Sequence, residues 1–322
     1  MIVGVSPAIR RALGLVQRYA STRLTVLLVG PTGTGKDLFA RHVHDLSGRR
    51  GPIVDVNCCA LPRDMVEGLL FGHKRGAFTG AVDSAVGHVE RSHDGTLFLD
   101  ELGSLATESQ GKLLRVLESG EVQPLGASAK RRVDFRVVSA VGDDIGMAIE
   151  AGRFRRDLFQ RVAGVVIELP ALERRPEDIV PLAEHFAAMS DRRLEPGVEG
   201  VLLNYSWPGN VRELGMAIER AGELVDNGTL SPGAVAEAIE LGGVPNRGPA
   251  NSNERASLVE ICQAHGWHGG RICRALGISR TTLHTRLVRA GLSLRQGKRE
   301  HGVRHCAEHS RTTERPNAPT PT

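Results

Sequence analysis

Gly30-Pro31-Thr32-Gly33-Thr34-Gly35-Lys36 follows the apolar run Val26 to Val29 and precedes an amphipathic stretch from Leu38 to Leu46. In a strand, loop and helix succession of this kind, backbone amides and the positive helix end converge on phosphate, and Lys36 reaches the terminal phosphates of a nucleotide. A glycine-rich turn without nucleotide is the plain alternative, and the strand-loop-helix setting argues against it. Asp37 stands where the general motif carries the Ser or Thr that ligates magnesium. Further along, Leu97-Phe98-Leu99-Asp100-Glu101 is an apolar run ending in two carboxylates. Asp100 suits a metal ion and Glu101 an attacking water, which is the division of labour that phosphoryl transfer to water requires.

These residues need a sheet to hold them. Thr25 to Val29, Ile53 to Val56, Thr96 to Leu99, Arg136 to Ala140 and Val165 to Leu169 read as strands, with helical periodicity between them. Strands separated by helix-length segments predict a parallel sheet covered on both faces, an α/β unit over residues 1–170. From Pro176 to Ile239 the apolar spacing becomes wholly helical, predicting a helical subdomain over 171–241. Residues 242–254 are rich in Gly, Pro and Asn and read as a linker. Residues 255–294 read as three short helices, and 295–322, basic and poor in large apolar residues, as a disordered tail.

The composition, 41% hydrophobic and 24% charged over 322 residues, is that of a globular protein with a sizeable core. No run approaches the roughly 18 apolar residues of a membrane span, and the first residues do not read as a signal peptide, so no membrane role and a cytoplasmic location are expected. Cys58, Cys59, Cys262, Cys273 and Cys306 show no metal-ligand spacing, and an odd number argues against a disulfide framework. The net charge is only +4, but basic residues crowd the last quarter, which points to nucleic acid near that end.

In that last quarter Gly269 to Leu276 reads as a short helix, Gly277 as a tight turn, and Ser279 as the cap of a helix beginning at Arg280. Leu283 and Leu287 then face inward, leaving Arg280, Thr281, His284 and Thr285 near the helix start to meet base edges. Arg271, Arg274, Arg286 and Arg289 suit phosphates.

Gly76-Ala77-Phe78-Thr79-Gly80-Ala81 flanks one aromatic and one hydroxyl with small residues, as a mobile tip presenting an exposed Phe78 to another protein would. The string resembles the signature loop of bacterial sigma-54-dependent transcription activators. Other segments extend the resemblance in the family's order: Val56-Asn57-Cys58, Phe154-Arg155-Arg156-Asp157-Leu158-Phe159-Gln160-Arg161 and Trp207-Pro208-Gly209-Asn210-Val211-Arg212-Glu213-Leu214. Ala275 to Leu283 resembles the Fis-type helix-turn-helix attached to these activators.

The resemblance implies an AAA+ ATPase with a P-loop parallel sheet and helical lid, followed by an all-α DNA-binding domain. It implies ATP and Mg2+ as cofactors, with Gly30 to Lys36 on the phosphates, Asp37 and Asp100 on the metal, and Arg212 as the lid's phosphate sensor. Asn57 becomes a switch holding Glu101, while Arg155 and Arg161 reach the ATP of a neighbouring subunit in a homo-oligomeric ring, expected to be a hexamer. Gly76 to Ala81 would contact sigma-54 RNA polymerase, and Ser279, Arg280, Thr281, His284, Thr285 and Arg286 an upstream inverted repeat of double-stranded DNA.

The sequence departs from the family at several points. Asp37 replaces the usual Glu, Val141-Gly142 the Thr-Asn of the sensor I strand, and Gly215-Met216 a Lys-Asn pair, while His73-Lys74-Arg75 makes the loop entry more basic. Loss of the sensor I polar groups raises a second reading, a nucleotide-responsive DNA-binding scaffold that barely hydrolyses ATP and works as a repressor or beside a paralogue. A helicase loader would explain the P-loop and DNA unit but not Gly76 to Ala81. Ile2 to Ala8 already resembles the opening of the ATPase domain, so control is expected from a partner, from expression or from nucleotide.

Overall fold

The computed structural model describes residues 2–78, 80–225, 228–242 and 252–276, together with Leu283, Leu287 and Leu292. It divides into two compact units, Met1–Gly242 and Gly243–Thr322. The first begins with α1 (Pro7–Tyr19), whose N-cap Ser6 accepts from the Ile9 amide. Then come β1 (Val26–Val29), α2 (Lys36–Asp45), β2 (Ile53–Asn57), α3 (Val66–Phe71), α4 (His88–Arg91) and β3 (Thr96–Asp100). After α5 (Thr107–Ser119) the two-residue strands β4 (Glu121–Val122) and β5 (Arg131–Arg132) pair antiparallel, and β6 (Arg136–Val141), α6 (Ile145–Glu150), α7 (Arg156–Val162) and β7 (Val165–Glu168) complete the layer.

The sheet runs β2-β3-β6-β1-β7 with every pairing parallel, as the alternation predicts. Parallel strands are covered on both faces and so read as unbroken apolar runs rather than alternating ones. Leu27, Leu99 and Val137 point to a core shared with Leu113 of α5 and Leu158 of α7. Leu28, Phe98 and Val138 point to the other, shared with Ile9 of α1 and Phe39 of α2. Strand ends shift by a residue: β1 starts at Val26 rather than Thr25, while β2 and β3 extend to Asn57 and Asp100, which lie side by side in register.

The lid comprises α8 (Ile179–Met189), β8 (Arg193–Leu194), α9 (Val198–Leu203), α10 (Asn210–Glu223), β9 (Thr229–Leu230) and α11 (Pro232–Gly242) around buried Trp207 and Leu214. It is not wholly helical, because β8 and β9 form a parallel pair. Two residues are too short a run for a period-two pattern to declare itself. The expected linker is also shortened, since α12 (Ser252–Ala264) begins inside it. Ser and Glu at 252 and 254 suit the first turn of a helix as well as they suit a linker.

In the second unit α12 and α13 (Gly269–Leu276) bury Cys262, Trp267 and Ile272 against Leu283 and Leu287, so both leucines face inward as their spacing predicts. Among the described residues no helix is long and apolar enough to cross a membrane.

Candidate functional site

The phosphate loop hangs from the end of β1, where the Gly30 amide donates to the Val141 carbonyl at 3.2 Å. Gly33 has φ +82°, and a Cβ there would lie 2.3 Å from the Gly209 carbonyl oxygen of the lid. Backbone conformation and close approach therefore both demand glycine. Gly35, at φ +97°, turns the chain into α2. Lys36 is buried, and its Nζ donates to the Gly30 and Pro31 carbonyls at 2.7 and 3.2 Å, which parks the ammonium inside its own loop.

At the end of β3, Asp100 Oδ1 accepts from the Glu101 amide at 2.9 Å. Burial pushes the Asp100 carboxyl above the ordinary range, with Glu101 and Asp55 adding to the rise and the Glu101 amide and Lys36 opposing it. Glu101 is in the left-handed region at φ 50°, and Thr32 Oγ1 donates to its Oε1 at 3.3 Å. A non-glycine residue held there at the end of a strand is a strained position of the kind concentrated at working sites. Cys58 is buried beside this pair, and burial together with Asp100 and Glu101 pushes its thiol up to about 12, so it is inert packing.

Asn57 departs from the expected arrangement. Its Oδ1 accepts from the Cys59 and Ala60 amides at 3.0 and 3.2 Å, closing a local turn, while Glu101 is held by Thr32. Short polar side chains at strand ends favour such turns, and that local bond has won here.

The lid closes the other side. Asn210 is buried at φ 55°; its Nδ2 donates to the Thr32 carbonyl at 3.0 Å and its Oδ1 accepts from Leu172 at 2.8 Å. The Arg212 amide donates to the Gly33 carbonyl at 3.2 Å. Trp207 is core, with Nε1 donating to the Leu202 carbonyl at 2.9 Å. Between lid and loop lies a cleft of about 650 Å3 lined by Thr32, Gly33, Gly35, Lys36, Asp37, Asp100, Glu101 and Arg212. Phe186, Met189, Gly215 and Met216 give it an apolar wall that sequence reasoning missed. The signal was there: Gly215 leaves room for the Phe186 ring, which would stand 3.3 Å from a Cβ at that position.

Arg155 and Arg161 do not line this cleft. Both are exposed; Arg155 is forked onto Asp157 at 2.7 and 3.1 Å, and Arg161 donates to the Leu117 carbonyl. At the sensor I position Val141 is buried and Gly142 brings no side chain to the site.

Gly76 to Ala81 forms a closed loop, with the Gly76 amide donating to the Ala81 carbonyl at 2.8 Å. Its base is pinned on both sides by bonds of His73 to Ala85 and of Lys74 to Leu125. Phe78 is half-buried rather than exposed, because its ring packs edge-on against His73 with centroids 5.0 Å apart. Thr79 lies outside the described residues, as do Ser279, Arg280, Thr281, His284, Thr285, Arg286, Arg289 and Cys306. Arg271 is exposed on α13.

A phosphate loop on a parallel sheet, an acid pair at the neighbouring strand end and a helical lid folded over the loop define an AAA+ ATPase. Residues 2–168 match the Sigma-54 interaction domain and residues 173–250 the AAA+ ATPase lid domain. The chain belongs to the sigma-54 interaction domain family. It is 38% identical over 301 residues to the transcriptional regulatory protein ZraR of Escherichia coli (strain K12), covering 89% of this chain and 68% of the relative. It is 34% identical to the Nif-specific regulatory protein of Azotobacter vinelandii, covering 92% of this chain and 60% of the relative. The chain thus spans about two thirds of the length of these curated relatives. The crystal structure of NtrX from Brucella abortus in complex with ADP superposes with TM-score 0.67 at 29% identity, covering 91% of this chain and 69% of that one. A point mutant of RuvB from Thermotoga maritima, at 18% identity and TM-score 0.53 over 90% of this chain and 88% of that one, shares the fold.

Proposed function

We propose that this protein is a DNA-tethered transcription activator that uses ATP hydrolysis to move the Gly76 to Ala81 loop against sigma-54 RNA polymerase, opening the promoter. The observation that carries this reading is a closed loop bearing Phe78 in the same compact unit as a cleft lined by the phosphate loop and the acid pair. Lys36 leaves the Gly30 and Pro31 carbonyls for the terminal phosphates, and Glu101, released from Thr32, orients the attacking water. Arg212 senses phosphate from the lid. Asn57 passes from its local turn to Glu101 as the switch between resting and hydrolysing states.

Among the described residues no cluster of three acidic, His or Cys groups could hold a metal by itself. That fits Mg2+, which is bound through one or two carboxylates plus nucleotide phosphates rather than in a protein cage. Asp100, whose burial disfavours its own charge, and Asp37 at the mouth of the cleft are the carboxylates that would hold it. When bound, it neutralises charge on the transferred phosphate.

Arg155 and Arg161, exposed and away from their own subunit's cleft, suit a ring in which each subunit completes its neighbour's site. Six is the expected count, and the cytoplasm the expected location. The second unit would hold the ring at an upstream inverted repeat through Ser279, Arg280, Thr281, His284, Thr285 and Arg286. Thr79→Ala tests the coupling: promoter opening is lost while ATP turnover persists. Loss of both together would make the loop structural.

The Val141-Gly142 pair is the support for the weakly hydrolysing scaffold as a second reading, since neither residue offers a side-chain polar group to the attacking water, while the intact Glu101, Arg155 and Arg161 count against it. Steady-state turnover at rising protein concentration separates the two. A ring gives a steep rise, a scaffold a flat baseline.

A further inference from the structure

A buried ion pair outside the cleft touches both the phosphate loop and the start of α1. Asp178, immediately before α8, is fully buried and accepts from the Val5 amide at 2.6 Å, the Ser6 amide at 2.7 Å and the Ser6 hydroxyl at 2.7 Å. Arg175 is 2% exposed and faces Asp178 at 3.7 Å. Its other terminal nitrogen donates to the Thr34 carbonyl at 3.2 Å, two residues before Lys36. Burial lowers the Arg175 pKa while Asp178 pulls it back up, and among the described residues its Nε has no partner.

The cost of burying these groups makes a mere surface tether an inadequate account. A buried pair is weak evidence for stability, because desolvation consumes much of the attraction. What such a pair does well is fix one arrangement of the segments it joins. Here those segments are three: the N-cap of α1 through Ser6, the first turn leading into lid helix α8, and the phosphate loop through Thr34. The far end of α8 carries Phe186 and Met189 into the cleft wall, so lid and loop meet at this node as well as across the cleft.

We propose that Arg175 is a positioning residue of the phosphate loop, set by a Ser6–Asp178–Arg175–Thr34 relay through which displacement of residues 5 and 6 changes nucleotide affinity. The proposal rests on the cleft being the ATP site. Arg175 touches no substrate; it holds the Thr34 carbonyl so that the turn at Gly35 and the Lys36 ammonium keep their places. Residues 5 and 6 act on Arg175 through the orientation of the Asp178 carboxylate. A shift of a partner against α1 would therefore be felt at the loop without any contact between that partner and nucleotide.

The test is titration of the full chain with a fluorescent ADP analogue, together with ATP kinetics and thermal melting, for Ser6→Ala, Arg175→Lys and the double variant. Arg175→Lys keeps the charge but loses the planar reach to two partners, and weakens ADP binding about tenfold, the scale of one charge-assisted bond. Ser6→Ala weakens it about threefold, and the double variant binds no worse than Arg175→Lys, because the two act in series. Turnover at saturating ATP stays within about twofold of the parent, so the effect falls on KM rather than kcat.

Lower melting temperatures with unchanged ADP affinity would overturn the proposal, as would effects on affinity that multiply independently. Lys36→Ala serves as the control for the cleft itself. If it fails to weaken ADP binding, the site assignment has failed rather than the relay.

Discussion

Burial of Asp100 beside Glu101 and Asp55 works against its own negative charge and leaves its folded-state pKa raised. For such a group the contribution to folding is fully present below the unfolded-state pKa and is lost as pH rises through the higher folded value. A divalent cation makes the opposite demand, since it selects the ionised carboxylate. The Mg2+ concentration giving half-maximal hydrolysis should therefore climb on acidification before an ordinary aspartate would begin to protonate. Magnesium titrations at several pH values between neutral and mildly acid check this. A half-saturation that stays flat over that window contradicts the role given to Asp100.

At this scale the sequence was a good guide wherever chemistry is local. The phosphate loop and the acid pair are contiguous strings whose geometry follows from one strand and one turn. Asn210, Arg175 and Arg136 escaped notice because their partners are remote in the chain: Asn210 reaches Thr32, Arg175 reaches Thr34, and Arg136 reaches Tyr19 and Thr22. Nothing in a run of residues states which distant carbonyl a buried polar group will find. Asn57 shows the converse, because its family resemblance pointed to Glu101 while a local turn claims its side chain here.

Among the elements, α1 is fastened to the sheet by a side chain at the first residue of β6. Arg136 is 3% exposed and donates to the Tyr19 carbonyl at 2.8 Å, the Thr22 carbonyl at 2.6 Å and the Ala20 carbonyl. These carbonyls lie at or just past the end of α1, where the helix offers no further amides; Tyr19 is also met by Thr22, while Ala20 and Thr22 rely on Arg136. Arg136→Met keeps the apolar stem but strands the Ala20 and Thr22 carbonyls, Tyr19 keeping its bonds from the Thr22 amide and hydroxyl, and should cost about 2 to 4 kcal/mol. Denaturant unfolding reads this as a lower midpoint with an unchanged slope. A loss below about 0.5 kcal/mol, the range of an ordinary surface change, would show that the carbonyls find other partners. The strands and long helices of this unit were legible because burial on both faces writes itself as continuous apolar runs. The β4–β5 and β8–β9 pairs were not, being only two residues long.

For the whole molecule, Arg155 and Arg161 do not line the cleft of their own chain, and in the proposed ring each subunit would complete its neighbour's site. An arginine supplied from a neighbour is worth about 10³ to 10⁵ in rate, so assembly and hydrolysis should be one event. Arg161→Ala, with its phosphate loop intact, and Lys36→Ala, with its arginines intact, should each be inactive alone and regain turnover when mixed. An Arg161→Ala protein that hydrolyses ATP alone, or an inert mixture, counts against shared sites.

In the proposed mechanism the step from hydrolysis to transcription rests on Phe78, whose ring in this structure lies against His73. Freeing it from that contact is the motion the account requires. Binding of the purified full chain to the isolated sigma-54 subunit, with and without a saturating transition-state mimic of ATP, measures it directly. The account predicts a stable complex with the mimic, none with ADP, and loss of the complex in Phe78→Ala. No association under saturating mimic would contradict it.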